Sequence, residues 1–201
     1  WGEPIRTALA QVLSFSPPKY KRLGIITPEN SENRDVVLFS EKINQKFVML
    51  HRPLRWAKEW FKSPEAKKHK TWLPCPVNKL PEKPSIWIAY SENLKNWKRH
   101  KVLLGPREKW EEWKVGAGPP PIKTSEGWLL IYHGVDKNKV YRSGIALLDL
   151  KNLSKVISRL SYPVLEPEIE YEKKGDTPNV VFPEGAILKN GTLFVYYGGA
   201  D

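Results

Sequence analysis

Apolar and polar positions alternate along this chain in runs of about four to eight residues, each closed by a turn rich in Asn, Asp, Gly or Pro. FVMLHRP from Phe47 is one such run, and WLLIYHG from Trp128 is another. Runs this short predict β-strands, because the 18 prolines and 13 glycines leave few windows long enough for a helix.

The runs fall into two recurring hairpin patterns. One is seen as DVVLFSEKINQKFVMLHRP from Asp35, GAGPPPIKTSEGWLLIYHG from Gly116 and NVVFPEGAILKNGTLFVYYGG from Asn179, recurring after 81 and then 63 residues. The other is seen as IRTALAQVLSFSPPKYKRLGII from Ile5, PSIWIAYSENLKNWKRHKVLL from Pro84 and YRSGIALLDLKNLSKVISRLSYPVL from Tyr141, recurring after 79 and 57. The two patterns alternate strictly. A pair of successive hairpins gives four antiparallel strands, and such sheets repeated around an axis form a β-propeller. A β-sandwich would explain short strands but not the alternation. The extra length in the first interval falls at residues 56–83 and reads as an inserted loop or short helix beside the rim.

The expected fold is therefore all-β, one propeller-type domain over residues 1–201. The count gives two whole units and two halves, roughly three to four blades, whereas a closed propeller takes about four to eight. This predicts part of a longer chain, with exposed sheet edges that favour association between copies unless further sequence covers them.

Composition narrows the partners. The 33 basic against 22 acidic residues give a net charge of +11, which favours an anionic partner. Much of the excess is Lys on predicted turns, such as Lys67, Lys68, Lys173 and Lys174, and reads as solvated surface of the kind heat-adapted proteins carry. Nine Trp and eight Tyr supply flat faces for a core or for sugars. Cys75 is the single cysteine, so no internal disulfide or cysteine metal cluster is expected, and a reducing, cytoplasmic setting fits. No stretch approaches the roughly 20 apolar residues of a membrane span. Basic residues interleave with Trp between Arg55 and Trp72, but no recognised nucleic-acid module accompanies them.

In a propeller the ends of the inner strands meet around the central channel, so polar residues far apart in sequence gather there. The first hairpin pattern ends on HRP (His51, Arg52), YHG (His133) and GGAD (Asp201). Lys114 lies just before what reads as a glycine-rich hinge. Arg52, Lys114 and His133 together would make a cationic cluster suited to a small oxyanion. Asp201, an acceptor-only carboxylate, suits sugar hydroxyls. Glu184 and Asp176 also lie near corners, where turn or surface roles are expected. Zinc spacing, a GK[ST] phosphate loop and a GxSxG elbow are missing.

At GAGPPPIKTSEGWLLIYHGV, YRSGIALLDLKN, YPVLEPEIEYEKKGDTPNVVFPEGAI and YYGGAD, with EKINQKFVMLHRP before them, the chain resembles glycoside hydrolase family 130 over nearly its whole length. The resemblance implies a five-bladed propeller that cleaves β-mannosides, here expected to be β-1,4-linked, most often as an inverting phosphorylase releasing α-mannose 1-phosphate. It implies no metal or organic cofactor, inorganic phosphate being the cosubstrate and a β-mannoside oligosaccharide or glycan the substrate. It assigns phosphate binding to Lys114, His133, Arg52 and Arg6, and sugar contacts to Tyr141 and Asp201; the strand-end position adds His51. The general acid that the resemblance implies is an aspartate in a Glu-Asp-Pro-Arg phrase, which this sequence lacks. That acid is expected to lie in a preceding segment outside these residues. The alternatives are a β-mannosidase using water, or a carbohydrate-binding propeller without catalysis.

Overall fold

The computed structural model describes residues 5–29, 31–64, 66 and 79–200. Its strands are β1 (Ala8–Phe15), β2 (Pro18–Ile25), β3 (Asn33–Leu38), β4 (Phe47–Pro53), β5 (Ile86–Ser91) and β6 (Lys98–Leu104). They continue as β7 (Lys114–Ala117), β8 (Ile122–Lys123), β9 (Trp128–Val135), β10 (Tyr141–Leu148), β11 (Val156–Arg159), β12 (Val181–Lys189) and β13 (Thr192–Gly199). The helical segments are brief: α1 (Lys58–Phe61), a 3-10 turn at Lys109–Glu111 and α2 (Glu170–Lys173). No described helix is long and apolar enough to cross a membrane.

Every predicted hairpin is present, and each pairs antiparallel. β3-β4-β5-β6 form one sheet; β7-β9-β10-β11 form a second, with β8 also on β9; β1-β2 and β12-β13 stand as two-stranded sheets. The chain is thus all-β, with two whole units flanked by two hairpins. β7 of the second sheet lies against β3 and β4 of the first, while β12 lies against β9 and β10. The inserted stretch opens with α1, whose base is tied down where Lys58 N and Glu59 N donate to the carbonyls of Pro81 and Glu82. Cys75 and Asp201 lie outside the described residues.

The core sits between the two larger sheets. Val48, Leu50, Ile86, Ile88, Val115, Ala117, Trp128, Leu130 and Tyr132 are all buried in one cluster. Alternation along β4 puts Val48, Leu50 and Arg52 on one face, so an apolar stripe ends on a guanidinium. A second polar group is buried beside the core. Glu111 is fully buried; it accepts hydrogen bonds from the Arg107 and Glu108 amides at 3.1 and 3.2 Å, from Arg159 Nη2 at 2.6 Å and from the Tyr132 hydroxyl at 3.0 Å. This one carboxylate joins the 3-10 turn, β9 and β11, and its partners offset the cost of burying the charge.

Candidate functional site

The site is built from β3, β4, β7, β9 and β10. Arg52 is buried at the end of β4, and its Nε donates to Asp35 Oδ2 at 2.5 Å. His133, fully buried near the end of β9, places Nε2 at 3.5 Å from the same oxygen. Lys114 opens β7, and its ammonium donates to the Tyr141 hydroxyl at 2.8 Å while lying 4.5 Å from the centre of the Trp113 ring. Tyr141 opens β10, and its ring lies 5.9 Å from that of His133. Phe182 from β12 completes the cluster, its ring centre 4.5 Å from that of His133 and 6.2 Å from that of Tyr141. With Asp35 on β3, Arg52 on β4, Lys114 on β7 and His133 on β9, four strands of the two larger sheets therefore meet at one carboxylate.

Two features of this centre were not read from the sequence. Asp35 is the first. It has φ of +53° and sits where the β3–β4 register slips between Arg34 and Val37, a bulge that turns its side chain inward. Gly116 is the second. Far from being a hinge, it lies within β7, directly opposite His133, and a methyl group there would overlap Asp35 Oδ2 and the His133 ring. Arg34, paired opposite Arg52 and bonded to Glu32 at 3.1 Å, adds positive charge felt by Lys114. The phrase NRDVVLF carried both Arg34 and Asp35, but polar residues at a strand start are common, and the inward turn comes from the bulge.

Electrostatics distinguish the members. Burial chiefly, with Arg52 beside it and Asp35 in opposition, brings the Lys114 pKa down to about 8. Burial pushes the His133 ring down to about 3, with Asp35 opposing and Arg52 and Lys114 contributing. The ring is therefore neutral at physiological pH. This corrects the expectation of a cationic cluster of three: there are two cations, one neutral ring and one carboxylate. Burial tends to raise Asp35, but Arg52 and Lys114 outweigh it and hold the group below the usual carboxylate value. Arg52 Nη1, both ring nitrogens of His133 and the hydroxyl of Ser143, which pairs opposite His133, are buried with no hydrogen-bond partner among the described residues. Buried polar atoms of this kind ask for an occupant with complementary atoms.

Other expected site residues fall elsewhere. His51 follows Leu50 on the opposite face of β4 from Arg52, packed against Trp56 and Trp87. Its ring is used by the protein itself. Ser31 donates to the Pro28 carbonyl and accepts from Asn33 Nδ2, which leaves Asn33 Oδ1 to accept from His51 Nδ1 at 2.7 Å. The other ring nitrogen of His51 meets His100 Nδ1 at 3.1 Å. These partners make His51 a bracing residue between β3, β4 and β6, against the expected sugar contact. Arg6 is part-exposed and pairs with Glu29 at 3.7 Å. The expected Asp201 contact lies outside the described residues. Among the described residues, no group of three or more His, Cys, Asp or Glu is placed to hold a metal.

Comparison with known proteins shows the family. A sequence model of glycoside hydrolase family 130, described as beta-1,4-mannooligosaccharide phosphorylase, matches residues 18–201. A 1,2-beta-oligomannan phosphorylase of Thermoanaerobacter sp. (strain X514) is 46% identical over 183 residues, covering 90% of this chain and 51% of that protein. A beta-1,4-mannooligosaccharide phosphorylase of Ruminococcus albus is 36% identical over 174 residues, covering 84% of this chain and 45% of that protein. The solved structure of a beta-1,2-mannobiose phosphorylase from Listeria innocua, in complex with beta-1,2-mannobiose, superposes with a TM-score of 0.78 at 38% identity, covering 98% of this chain and 48% of that one. The chain spans about half the length of these relatives. On the match over most of its length and the identity to these phosphorylases, the chain belongs to glycoside hydrolase family 130.

Proposed function

We propose that this chain forms the phosphate-holding part of a β-mannoside phosphorylase, in which the units surround a common axis as a propeller. The observation that carries this reading is the convergence of Arg52, Lys114 and His133 on Asp35. Two cations against one carboxylate leave a net positive site, which favours an anion. Arg52 offers a buried N–H at Nη1 with no partner among the described residues, and Lys114 an ammonium with donors beyond the one given to Tyr141. Neutral His133 has one donor and one acceptor nitrogen, which matches hydrogen phosphate, a species with both acceptor oxygens and an O–H.

The reaction follows from that cradle. Held in line with the anomeric carbon, a phosphate oxygen attacks C1 as the bond from C1 to the glycosidic oxygen breaks, and inversion gives α-mannose 1-phosphate. The departing oxygen takes a proton from an acid that none of these residues supplies. The cations stabilise the attacking anion while it is oriented. No metal or organic cofactor enters this scheme.

For the linkage, the relatives at 46% and 38% identity act on β-1,2-mannosides by their names, and the one at 36% on β-1,4. The reading therefore favours β-1,2-linked substrates, with β-1,4 as the second reading because the family model carries that description. Incubation of the full-length protein, including the segment that supplies the acid, with each mannobiose, with and without phosphate, tests both. Mannose 1-phosphate formed only with phosphate, and faster from the β-1,2 disaccharide, is the expected result. Free mannose at an equal rate without phosphate would make it a hydrolase; phosphate binding without turnover would make it a binding protein.

A further inference from the structure

We infer that Asp35 is a positioning residue of the anion site: its carboxylate clamps Arg52 through Nε and so aims the outer nitrogen Nη1 at the bound anion. The inference rests on the phosphate reading above and deepens it.

Three separate features point to this role. The backbone is the first, since φ of +53° lies in the left-handed region that residues other than Gly, Asn and Asp seldom adopt, and the bulge spends this strain on turning one side chain inward. The space is the second: β7 passes beneath the carboxylate with a glycine, and a side chain at Gly116 would strike Asp35 Oδ2. The bonding is the third. Asp35 takes the Nε edge of the guanidinium at 2.5 Å, while Nη1 stays buried with no partner among the described residues. Stability alone explains such an arrangement poorly, because a buried ion pair rarely repays its desolvation. A carboxylate that fixes one edge of the fork leaves the other preorganised for an anion, at no cost when the anion arrives.

Asp35 also faces the other charges here. Lys114 feels burial, Arg52, Arg34 and Lys139, all of which favour its neutral form, and Asp35 opposes them. Removing the Asp35 charge should therefore let Lys114 lose its proton at lower pH.

Isothermal titration of inorganic phosphate into the wild-type protein, Asp35→Asn and Asp35→Gly separates the possibilities. Both variants delete the same charge and both accept a left-handed backbone, but only Asn keeps an acceptor for Arg52 Nε. At about pH 6.5, where Lys114 is protonated, Asp35→Asn is expected to bind phosphate within about threefold of wild type, and Asp35→Gly about tenfold or more weaker than Asp35→Asn. The alkaline loss of phosphate binding should also start at lower pH in Asp35→Asn. Should Asp35→Gly fail to fold, Gly116→Ala displaces the carboxylate and the His133 ring together, and a loss of phosphate affinity beyond that of His133→Ala is the expected sign of the clamp. Equal affinities in Asp35→Asn and Asp35→Gly overturn the clamp, as does unchanged phosphate affinity alongside a lowered unfolding midpoint. Absence of phosphate binding in the wild type defeats the phosphate reading itself, and the clamp with it.

Discussion

Lys114 is the member of the site whose charge depends most on its surroundings. Its pKa of about 8 means that the ammonium persists at neutral pH and is lost as pH rises through that value. Affinity for the hydrogen phosphate ion, corrected for its fraction of total phosphate at each pH, should accordingly hold between about pH 6 and 7.5 and fall above about 8, measured by titration at each pH. The sign for folding is the reverse. Because the folded pKa lies below the unfolded one, the unfolded chain binds more protons between the two, and Lys114 adds stability as pH climbs from about 8 towards 10.5. Lys114→Met should abolish the alkaline fall and weaken phosphate binding roughly 10- to 100-fold, the worth of a charge-assisted hydrogen bond. A binding curve that stays flat through the alkaline range in the wild type would remove Lys114 from the site. The sequence pointed to Arg52 and His133 because each closes an apolar run, where an inner corner is legible, and to Lys114 because it precedes the glycine-rich stretch. The family resemblance assigned all three to phosphate. Strand-end position misassigned His51: it gives the end of β4 but not the face, and neighbours on a strand point opposite ways.

The hairpins themselves were the most legible feature, since alternating apolar runs broken by Asn-Gly or Pro-rich turns encode both strands and turn. All six are present. Less legible was what happens inside a strand. The bulge that turns Asp35 inward leaves only a slipped register, and Gly116 looked like a hinge because its role is to leave room for a side chain 81 residues earlier. The Glu111 cluster was equally hidden: an acidic residue in EKWEEWK reads as surface, yet Glu111 is fully buried because Arg159 and Tyr132 meet it from two other strands. Glu111→Ala should cost about 3–5 kcal/mol in denaturant unfolding, the penalty for stranding a buried guanidinium. Removing Arg159 alongside it should recover part of that loss. A cost below about 1 kcal/mol would show that the pair is as weak as an exposed one.

The two flanking hairpins carry much of the exposed apolar surface of the described residues. β1-β2 exposes Val12, Leu13, Phe15 and Tyr20, and β12-β13 exposes Ile187, Leu188, Phe194 and Tyr196. Among the described residues each is a two-stranded sheet with no further strand on it and with exposed apolar side chains, a combination that natural sheets normally cover. The polypeptide of this sequence should therefore associate with rising concentration in sedimentation velocity, and Phe15→Ser with Tyr20→Ser should shift it towards monomer. A monomer at every concentration would mean that these hairpins are tolerated bare. The central claim, however, is that the strands of two sheets assemble one cradle for phosphate, and its most direct test is titration of inorganic phosphate into the wild-type protein and into Arg52→Met and Lys114→Met. The account predicts saturable binding that each substitution weakens by at least about tenfold; phosphate binding unaffected by both would contradict it.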